Sequence, residues 1–399
     1  MSTIRHITLP AGFVAAGVRC GIKTSGEDLA VIAGEREVSA AVMTTSNQVV
    51  GAPVLWCRKI LPQGFGRIRG MVINSGCSNV CTGKAGLEDA EAMAGETARL
   101  LGVGPSEILV ASTGIIGQPL PMGKIRKGIA MAVGSLGWRN DSAVVRAIMT
   151  TDTVEKSAVV RTRIAGQPIT IAGIAKGAGM IAPSMATMIS VLTTDASVAP
   201  RTLHRAFAAA AEVSFNAVTI DSDQSTSDTA VVMASGRAGG RIVSGTAEER
   251  KFSAALAEAC TALATAMARD GEGATRLVQV NVKGAATDAD AKIAAKAVAD
   301  SPLVKTAVHG ADPNWGRIVM AVGKSAAKVV PEKLSVKIGG VAVFARGAPK
   351  KFSSRPVASH LAGDTVVIGV GLGLGRGKFT AYTCDLSREY ITINADYHT

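Results

Sequence analysis

The sequence predicts a mixed α/β (α+β) protein of two lobes whose sheets are covered by helices. Three observations point there. The chain has 399 residues, more than one hydrophobic core usually serves. Short β-branched runs alternate with alanine-rich helical stretches along its whole length. Hydrophobic residues make up 47% and aromatic residues only 4%, with 44 glycines, so the core is aliphatic and its backbones approach closely.

Gly70 to Asn74 (Gly-Met-Val-Ile-Asn) has the pattern of a buried strand. Leu87 to Leu101 is an Ala/Glu-rich helix that stops at Gly102, as helices often stop at glycine. Ile108 to Ala111 is a short apolar strand running into Ser112-Thr113-Gly114. Val159 to Ile164 is β-branched but carries Arg161 and Arg163, which suits a sheet edge. The apolar run from Met188 to Leu192 reads as another strand beginning. Thr202 to Val213, Ala247 to Arg269 and Asp288 to Ala299 have helical composition, and Leu277 to Val282 is a strand. The C-terminal region is expected to be β-rich, through Ser335 to Phe344, Thr365 to Val370 and Glu389 to Asn394. No fixed-period repeat is visible.

Composition excludes several functions. The formal charge is +12, but the basic residues are dispersed and no aromatics alternate with them as a base-stacking surface requires. Nucleic acid is therefore not an expected partner. The six cysteines (Cys20, Cys57, Cys77, Cys81, Cys260, Cys384) form no disulfide framework. Neither they nor the five histidines show metal-ligand spacing, so no metal is expected. The apolar stretch Leu9 to Val18 is too short and too interrupted for a signal peptide, and Gly177 to Thr194 is too polar for a membrane span. A soluble cytoplasmic protein is expected. Gly369 to Lys378 (Gly-Val-Gly-Leu-Gly-Leu-Gly-Arg-Gly-Lys) matches neither nucleotide-binding glycine pattern, since Phe379 stands where the phosphate loop needs Ser or Thr. Its glycines predict close backbone neighbours or a bulge.

Four polar clusters remain. Ser112-Thr113-Gly114 is either an ordinary turn or a pair of donors, the Thr113 hydroxyl and the Gly114 amide, aimed at an oxyanion. Asp270 to Thr275 places Glu272 between two glycines, either as a solvated helix stop or as a partner for a substrate ammonium. Thr150 to Thr153 and Asp312 to Arg317 name no chemistry by themselves. The stretch Pro-Ser-Met-Ala-Thr-Met from Pro183 to Met188 permits one specific reaction. A threonine hydroxyl needs an adjacent base, and the residue's own α-amine can serve if the chain breaks before Thr187. A free α-amine titrates at about 7.7 to 8.0, so a useful fraction is neutral near physiological pH. Small Ala186 leaves its carbonyl open to the Thr187 hydroxyl. The bland alternative is a plain threonine at the start of a strand.

Taken together these motifs resemble the ornithine acetyltransferase family, the glutamate N-acetyltransferases of arginine biosynthesis. The resemblance spans essentially the whole chain. It rests on Lys176 to Met188 (Lys-Gly-Ala-Gly-Met-Ile-Ala-Pro-Ser-Met-Ala-Thr-Met), Ser112 to Gly117 (Ser-Thr-Gly-Ile-Ile-Gly) and Met149 to Thr153 (Met-Thr-Thr-Asp-Thr). Arg269 to Thr275 (Arg-Asp-Gly-Glu-Gly-Ala-Thr), Asp312 to Ile318 (Asp-Pro-Asn-Trp-Gly-Arg-Ile) and the terminal Ile393 to Thr399 extend it. The resemblance implies a DmpA/ArgJ-like self-processing fold. It implies a cut between Ala186 and Thr187, giving chains 1–186 and 187–399 that assemble as a heterotetramer of two α and two β chains. It further implies Thr187 as nucleophile, Thr113 and Gly114 as the oxyanion hole, and Thr153, Lys176, Thr187, Glu272, Asn394 and Thr399 around the substrate. Acetyl would pass from N-acetylornithine to glutamate through an acetyl-Thr187 ester, without a cofactor. Acetyl-CoA would be a possible second donor.

Five positions depart from the family's usual residues: Ser184 for Asn, Cys77 and Ser78 within Asn74 to Asn79, Ser222 for Gly, and Ala311 for an acidic residue. Loss of the Asn beside the scissile bond is expected to slow the cut, and Cys77 to alter the pocket. Two other functions fit the same residues. A hydrolase or paralogue acting on another N-acyl amino acid would release acetate without glutamate. An uncut binding homologue would run as one intact chain.

Overall fold

The structure is a computed structural model and describes residues 6–139, 141–182 and 188–396. Eight of its strands are β1 (Phe13–Val18), β2 (Leu29–Thr44), β3 (Phe65–Cys77), β4 (Ile108–Ile115), β5 (Lys156–Ile164), β6 (Gln167–Lys176), β7 (Ile189–Val198) and β8 (Thr229–Ile242). They form one sheet in the order β4-β3-β2-β8-β7-β6-β5, with β1 added to β2. Only β3 with β4 and β7 with β8 run parallel; the other pairs are antiparallel.

Helices α1 (Ala52–Ile60), α2 (Gly83–Leu101), α3 (Met122–Gly134), α4 (Asp141–Ile148), α5 (Pro200–Glu212) and α6 (Ala247–Arg269) cover this sheet. On one face Phe207 of α5 and Phe252, Leu256 and Leu263 of α6 pack with Leu192 of β7. On the other, Val144 and Ile148 of α4 pack with Ile189 and Val191 of β7. β7 is therefore buried on both sides, and its polar Ser190, Thr193 and Thr194 are buried along with its apolar residues. Its neighbours come from both sides of residue 187, so chains divided there would share one sheet rather than occupy separate lobes.

The second lobe has its own core. Strands β9 (Leu277–Ala285), β10 (Ser335–Ile338), β11 (Val341–Ala345), β12 (Ala348–Pro349), β13 (Thr365–Gly371) and β14 (Gly377–Cys384) lie in the order β12-β11-β10-β13-β9-β14. Helices α7 (Asp288–Ala299), α8 (Pro302–His309), α9 (Trp315–Gly323) and α10 (Ser354–Leu361) supply Val298, Val308, Ile318 and Val357 to that core. The final helix, α11 (Arg388–Asp396), buries none of its side chains and lies across the loop that follows α6.

The sequence expectations fare unevenly. α6 and α7 have the predicted limits, and α2 ends at Gly102 with φ 69°. β5 is the sheet edge that its arginines suggested. Ser335 to Phe344 is a hairpin rather than one strand, because Gly339 and Gly340 both adopt positive φ, as a two-residue hairpin turn demands. Ser112-Thr113-Gly114 does not follow β4; the strand runs through them to Ile115. Glu389 to Asn394 is helical, not extended. Its β-branched Ile391, Thr392 and Ile393 meet no strand edge, while Asn394 and Thr392 hydrogen-bond back to the carbonyls of Tyr390 and Arg388. The glycine-rich stretch does mark close approach: a Cβ at Gly377 would lie 2.2 Å from the Thr287 carbonyl oxygen, and the β14 register slips there.

Candidate active site

The parallel pair β3–β4 sets Thr113 beside Ser75 and Gly114 beside Gly76. Gly114 has φ 123°, and a Cβ on it would stand 2.4 Å from the Gly76 carbonyl carbon. Only glycine lets this strand end cross its neighbour so closely. Beneath it, Ser112 Oγ donates to Asn74 Oδ1 at 2.6 Å and Asn74 Nδ2 donates to the Cys77 carbonyl at 2.9 Å, fixing the turn. Ser78 lines the resulting cavity; Cys77 instead turns its thiol to the Gln118 carbonyl and packs into the core, so it does not reshape the cavity wall.

Lys176 closes β6 and is paired with Ile189, two residues beyond Thr187 in sequence. It is 2% exposed, and its Nζ donates to Thr113 Oγ1 at 3.1 Å. Burial pushes this ammonium down from the usual lysine range, and the Asp152 charge acts against that shift. Asp152 accepts from Lys156 Nζ and from the Gly177 amide, each at 2.6 Å. Burial opposes its charge, but Lys176 and Lys156 hold its carboxyl below the ordinary range. Lys156 also reaches Asp270, which takes both the amide and the hydroxyl of Thr153. Thr153 is thus committed to the end of α6 and does not line the cavity; Thr150 and Thr151 do.

Glu272 enters from the opposite side. Its amide donates to the Ala178 carbonyl at 2.8 Å, and its Oε2 accepts from Asn394 of α11 at 2.9 Å. Its carboxylate rests on Gly179, where any Cβ would be 2.4 Å away. Thr113, Gly114, Lys176, Glu272 and Asn394 therefore face one cavity. Ala186, Thr187, Ser184 and Thr399 lie outside the described residues. Asp312 to Arg317 stands away from the cavity: Trp315 starts α9 and stacks on Phe344, 5.2 Å between centroids.

The remaining wall, Ser225, Thr226 and Ser227, was not singled out from the sequence. Its only signal is a hydroxyl-rich run before a strand. Nearby Ser222, which replaces a usual glycine, has φ 68°, the conformation that makes glycine usual there; Ala311 likewise has φ 51°. Among the described residues no group of His, Cys, Asp and Glu could hold a metal ion, and no helix is long and apolar enough to cross a membrane.

A buried ammonium, a facing carboxylate and a hydroxyl–amide pair at the strand ends of a helix-covered sheet define an α/β protein equipped to hold an amino acid and polarise an acyl group. The comparisons give that class its family. The ArgJ family matches residues 14–399, and the chain belongs to it. It is 44% identical over 394 residues to the arginine biosynthesis bifunctional protein ArgJ of Geobacillus kaustophilus, covering 98% of this chain and 96% of that one. Its identity to the protein of the same description from Dehalococcoides mccartyi is also 44%, over 397 residues, covering 98% and 97%. Among solved structures, the ArgJ bifunctional protein of Bacillus halodurans is 42% identical with a TM-score of 0.50, covering 51% of this chain and 97% of that chain. The ornithine acetyltransferase of Mycobacterium tuberculosis, complexed with ornithine, is 42% identical with a TM-score of 0.40, covering 45% and 95%.

Proposed function

We propose that this protein moves the acetyl group of N-acetylornithine to glutamate, after cutting itself between Ala186 and Thr187. The carrying observation is convergence. Thr113, Gly114, Lys176 and Glu272 meet at the cavity beside which the strand following Thr187 begins. The arginine-biosynthesis relatives, similar along nearly the whole chain, support the reaction. The Bacillus chain supports the cut: 97% of it matches, yet it spans only 51% of this chain.

The Thr187 α-amine takes the hydroxyl proton as Oγ attacks the acetyl carbonyl. Lys176 occupies a lone pair of Thr113 Oγ1, which leaves the Thr113 hydroxyl proton to point at the oxyanion together with the Gly114 amide. The carbon–nitrogen bond breaks, the ammonium returns its proton to the departing ornithine amine, and acetyl stays on Thr187 as an ester. The glutamate amine then attacks that ester and the steps reverse. Asn394 occupies Glu272 Oε2, leaving Oε1 for a substrate ammonium. The bifunctional designation of the relatives supports acetyl-CoA as a second donor. We further infer a cytoplasmic heterotetramer of two 1–186 and two 187–399 chains.

Mass spectrometry of the purified protein, with and without N-acetylornithine, tests this. Two chains are expected, with one acetyl group added to the 187–399 chain, and Thr187→Ala should stay uncut and inactive. A Thr187→Ala protein that still cuts refutes the nucleophile; acetate released without glutamate makes the enzyme a hydrolase.

A further inference from the structure

The large sheet holds a second cavity, of about 610 Å³, at the end remote from the chemistry above. β7 runs from Ile189, paired with Lys176, to Val198, which lines this second cavity. Nine residue steps of about 3.3 Å set the two cavities about 30 Å apart, and no residue lines both. Slipped register opens the space. Residues 34–37 of β2 stand against Arg69 of β3 alone, and residues 235–238 of β8 stand against Asp195 of β7 alone. Gly236 and Gly239 turn the second bulge with φ 72° and 73°, which glycine adopts without strain.

The bulges bring Arg36, Glu37 and Arg241 to one rim, with Arg67 of β3 beside them. Arg67 pairs with Glu37 at 3.4 Å; Arg36 and Arg241 make no hydrogen bond or ion pair among the described residues. Helix α5 starts on the wall: Pro200 is its first residue, and Ala199 at its N-cap supplies no side-chain hydrogen bond. The positive end of that helix dipole is therefore open to the cavity. Ser39 gives an independent sign of a ligand. It stands in register between Arg67 and Ala234, is 6% exposed and lines the cavity. Its hydroxyl makes no hydrogen bond among the described residues. A buried hydroxyl with no partner is costly and calls for one.

We propose that this cavity binds a phosphate group, as the free ion or carried by a small polar metabolite, at a site separate from acetyl transfer. Three guanidiniums and one carboxylate leave a charge of +2 around it. That matches the charge of about −1.5 to −2 on a phosphate group and exceeds what a single carboxylate can neutralise. The forks of Arg36 and Arg241 suit paired phosphate oxygens, Ser39 donates to a further oxygen, and the start of α5 favours the charge. Among the described residues no aromatic side chain lines the cavity, so a nucleotide base finds no stacking surface there. The volume lies within the range of roughly 300–1,000 Å³ usual for small-ligand sites and leaves room for more than the bare ion. The site does not depend on the acetyl-transfer reading.

Titration calorimetry of the purified protein with inorganic phosphate, ribose 5-phosphate and malonate tests this. Both phosphates should bind saturably, and malonate at least about tenfold more weakly. Tighter binding of ribose 5-phosphate than of the bare ion assigns the site to a metabolite; the reverse order assigns it to the free ion. Arg36→Gln and Arg241→Gln should each weaken phosphate binding at least about tenfold, and Ser39→Ala about three- to tenfold. Ser39→Ala removes a hydroxyl that has no partner, so its melting temperature should not fall. Arg355→Gln, on α10 of the other lobe, should leave the binding unchanged. Turnover of N-acetylornithine measured without phosphate should be unchanged in all four variants. No saturable phosphate binding overturns the proposal, as does malonate binding equally tightly. Undiminished binding in the Arg36, Arg241 and Ser39 variants places the ion elsewhere and overturns it. An equal loss in Arg355→Gln makes the binding a general effect of the chain's positive charge and also overturns it.

Discussion

Gly179→Ala separates substrate holding from stability. Gly179 does not have a positive φ, so alanine meets no backbone strain. The new methyl would lie 2.4 Å from Glu272 Oε2, 2.5 Å from its Cδ and 2.6 Å from Oε1. The carboxylate must retreat by about 1 Å to reach ordinary contact distance. It can do so, because Glu272 is only half-buried and its carboxylate is the far end of a flexible side chain. The retreat breaks the 2.9 Å bond from Asn394 and moves Oε1 away from the position proposed for the substrate ammonium. A hydrogen bond to a charged group contributes about 1.5–3 kcal/mol, or about 10- to 150-fold in kcat/KM. The loss should appear in KM rather than kcat, since the ammonium is held equally in ground and transition states. Folding stability should change by less than about 1 kcal/mol. Steady-state kinetics with N-acetylornithine and a thermal melt measure both. A kcat/KM within about twofold of wild type refutes the placement of Glu272 against the substrate.

Gly114→Ala should be severe where Gly179→Ala is mild. Its Cβ would strike Gly76 backbone at 2.4 Å with φ at 123°, costing about 2–5 kcal/mol in a thermal or denaturant melt and displacing the Gly114 amide proposed as an oxyanion donor. Wild-type stability in that variant refutes the strand crossing. Asp385 governs an acid-sensitive joint. Burial opposes its charge, but the Thr275 hydroxyl, the His309 ring and the Thr275 and Arg276 amides hold its carboxyl below the ordinary range. The fold gains from the ionised form, so that stability is complete above the unfolded carboxyl's pKa of about 3.9 and is lost as pH falls through the lower folded value. Asp385→Asn should cost about 1–3 kcal/mol at pH 7 and flatten the fall in melting temperature between pH 5 and 3; parallel curves for the two proteins refute this.

Local features of this chain were legible because their causes are local. Gly102 ends α2 because glycine tolerates φ 69°, and the limits of α6 and α7 follow alanine-rich composition and threonine caps at Thr246 and Thr287. The motifs likewise marked Thr113, Gly114, Lys176, Glu272 and Asn394, which the fold brings to one cavity. Thr113, Gly114 and Glu272 stood out by residue type and order, while Lys176 and Asn394 were implied by the resemblance to the family. What each touches depends on chain separated by tens of residues to more than a hundred. Thr153 joins Asp270, 117 positions away, instead of the cavity. The wall at Ser225 to Ser227 meets Ser78 and Thr113 only because β8, β2 and β3 are neighbours in one sheet. The β-branched run at Ile391 to Ile393 became helix because no strand edge receives it. The order of residue types in the sequence determined that this chain builds sheets under helices, and its motifs marked the side chains that meet at the cavity. Only tertiary structure decided their partners, because hydrogen bonds and ion pairs are set by distances that strand order and register create.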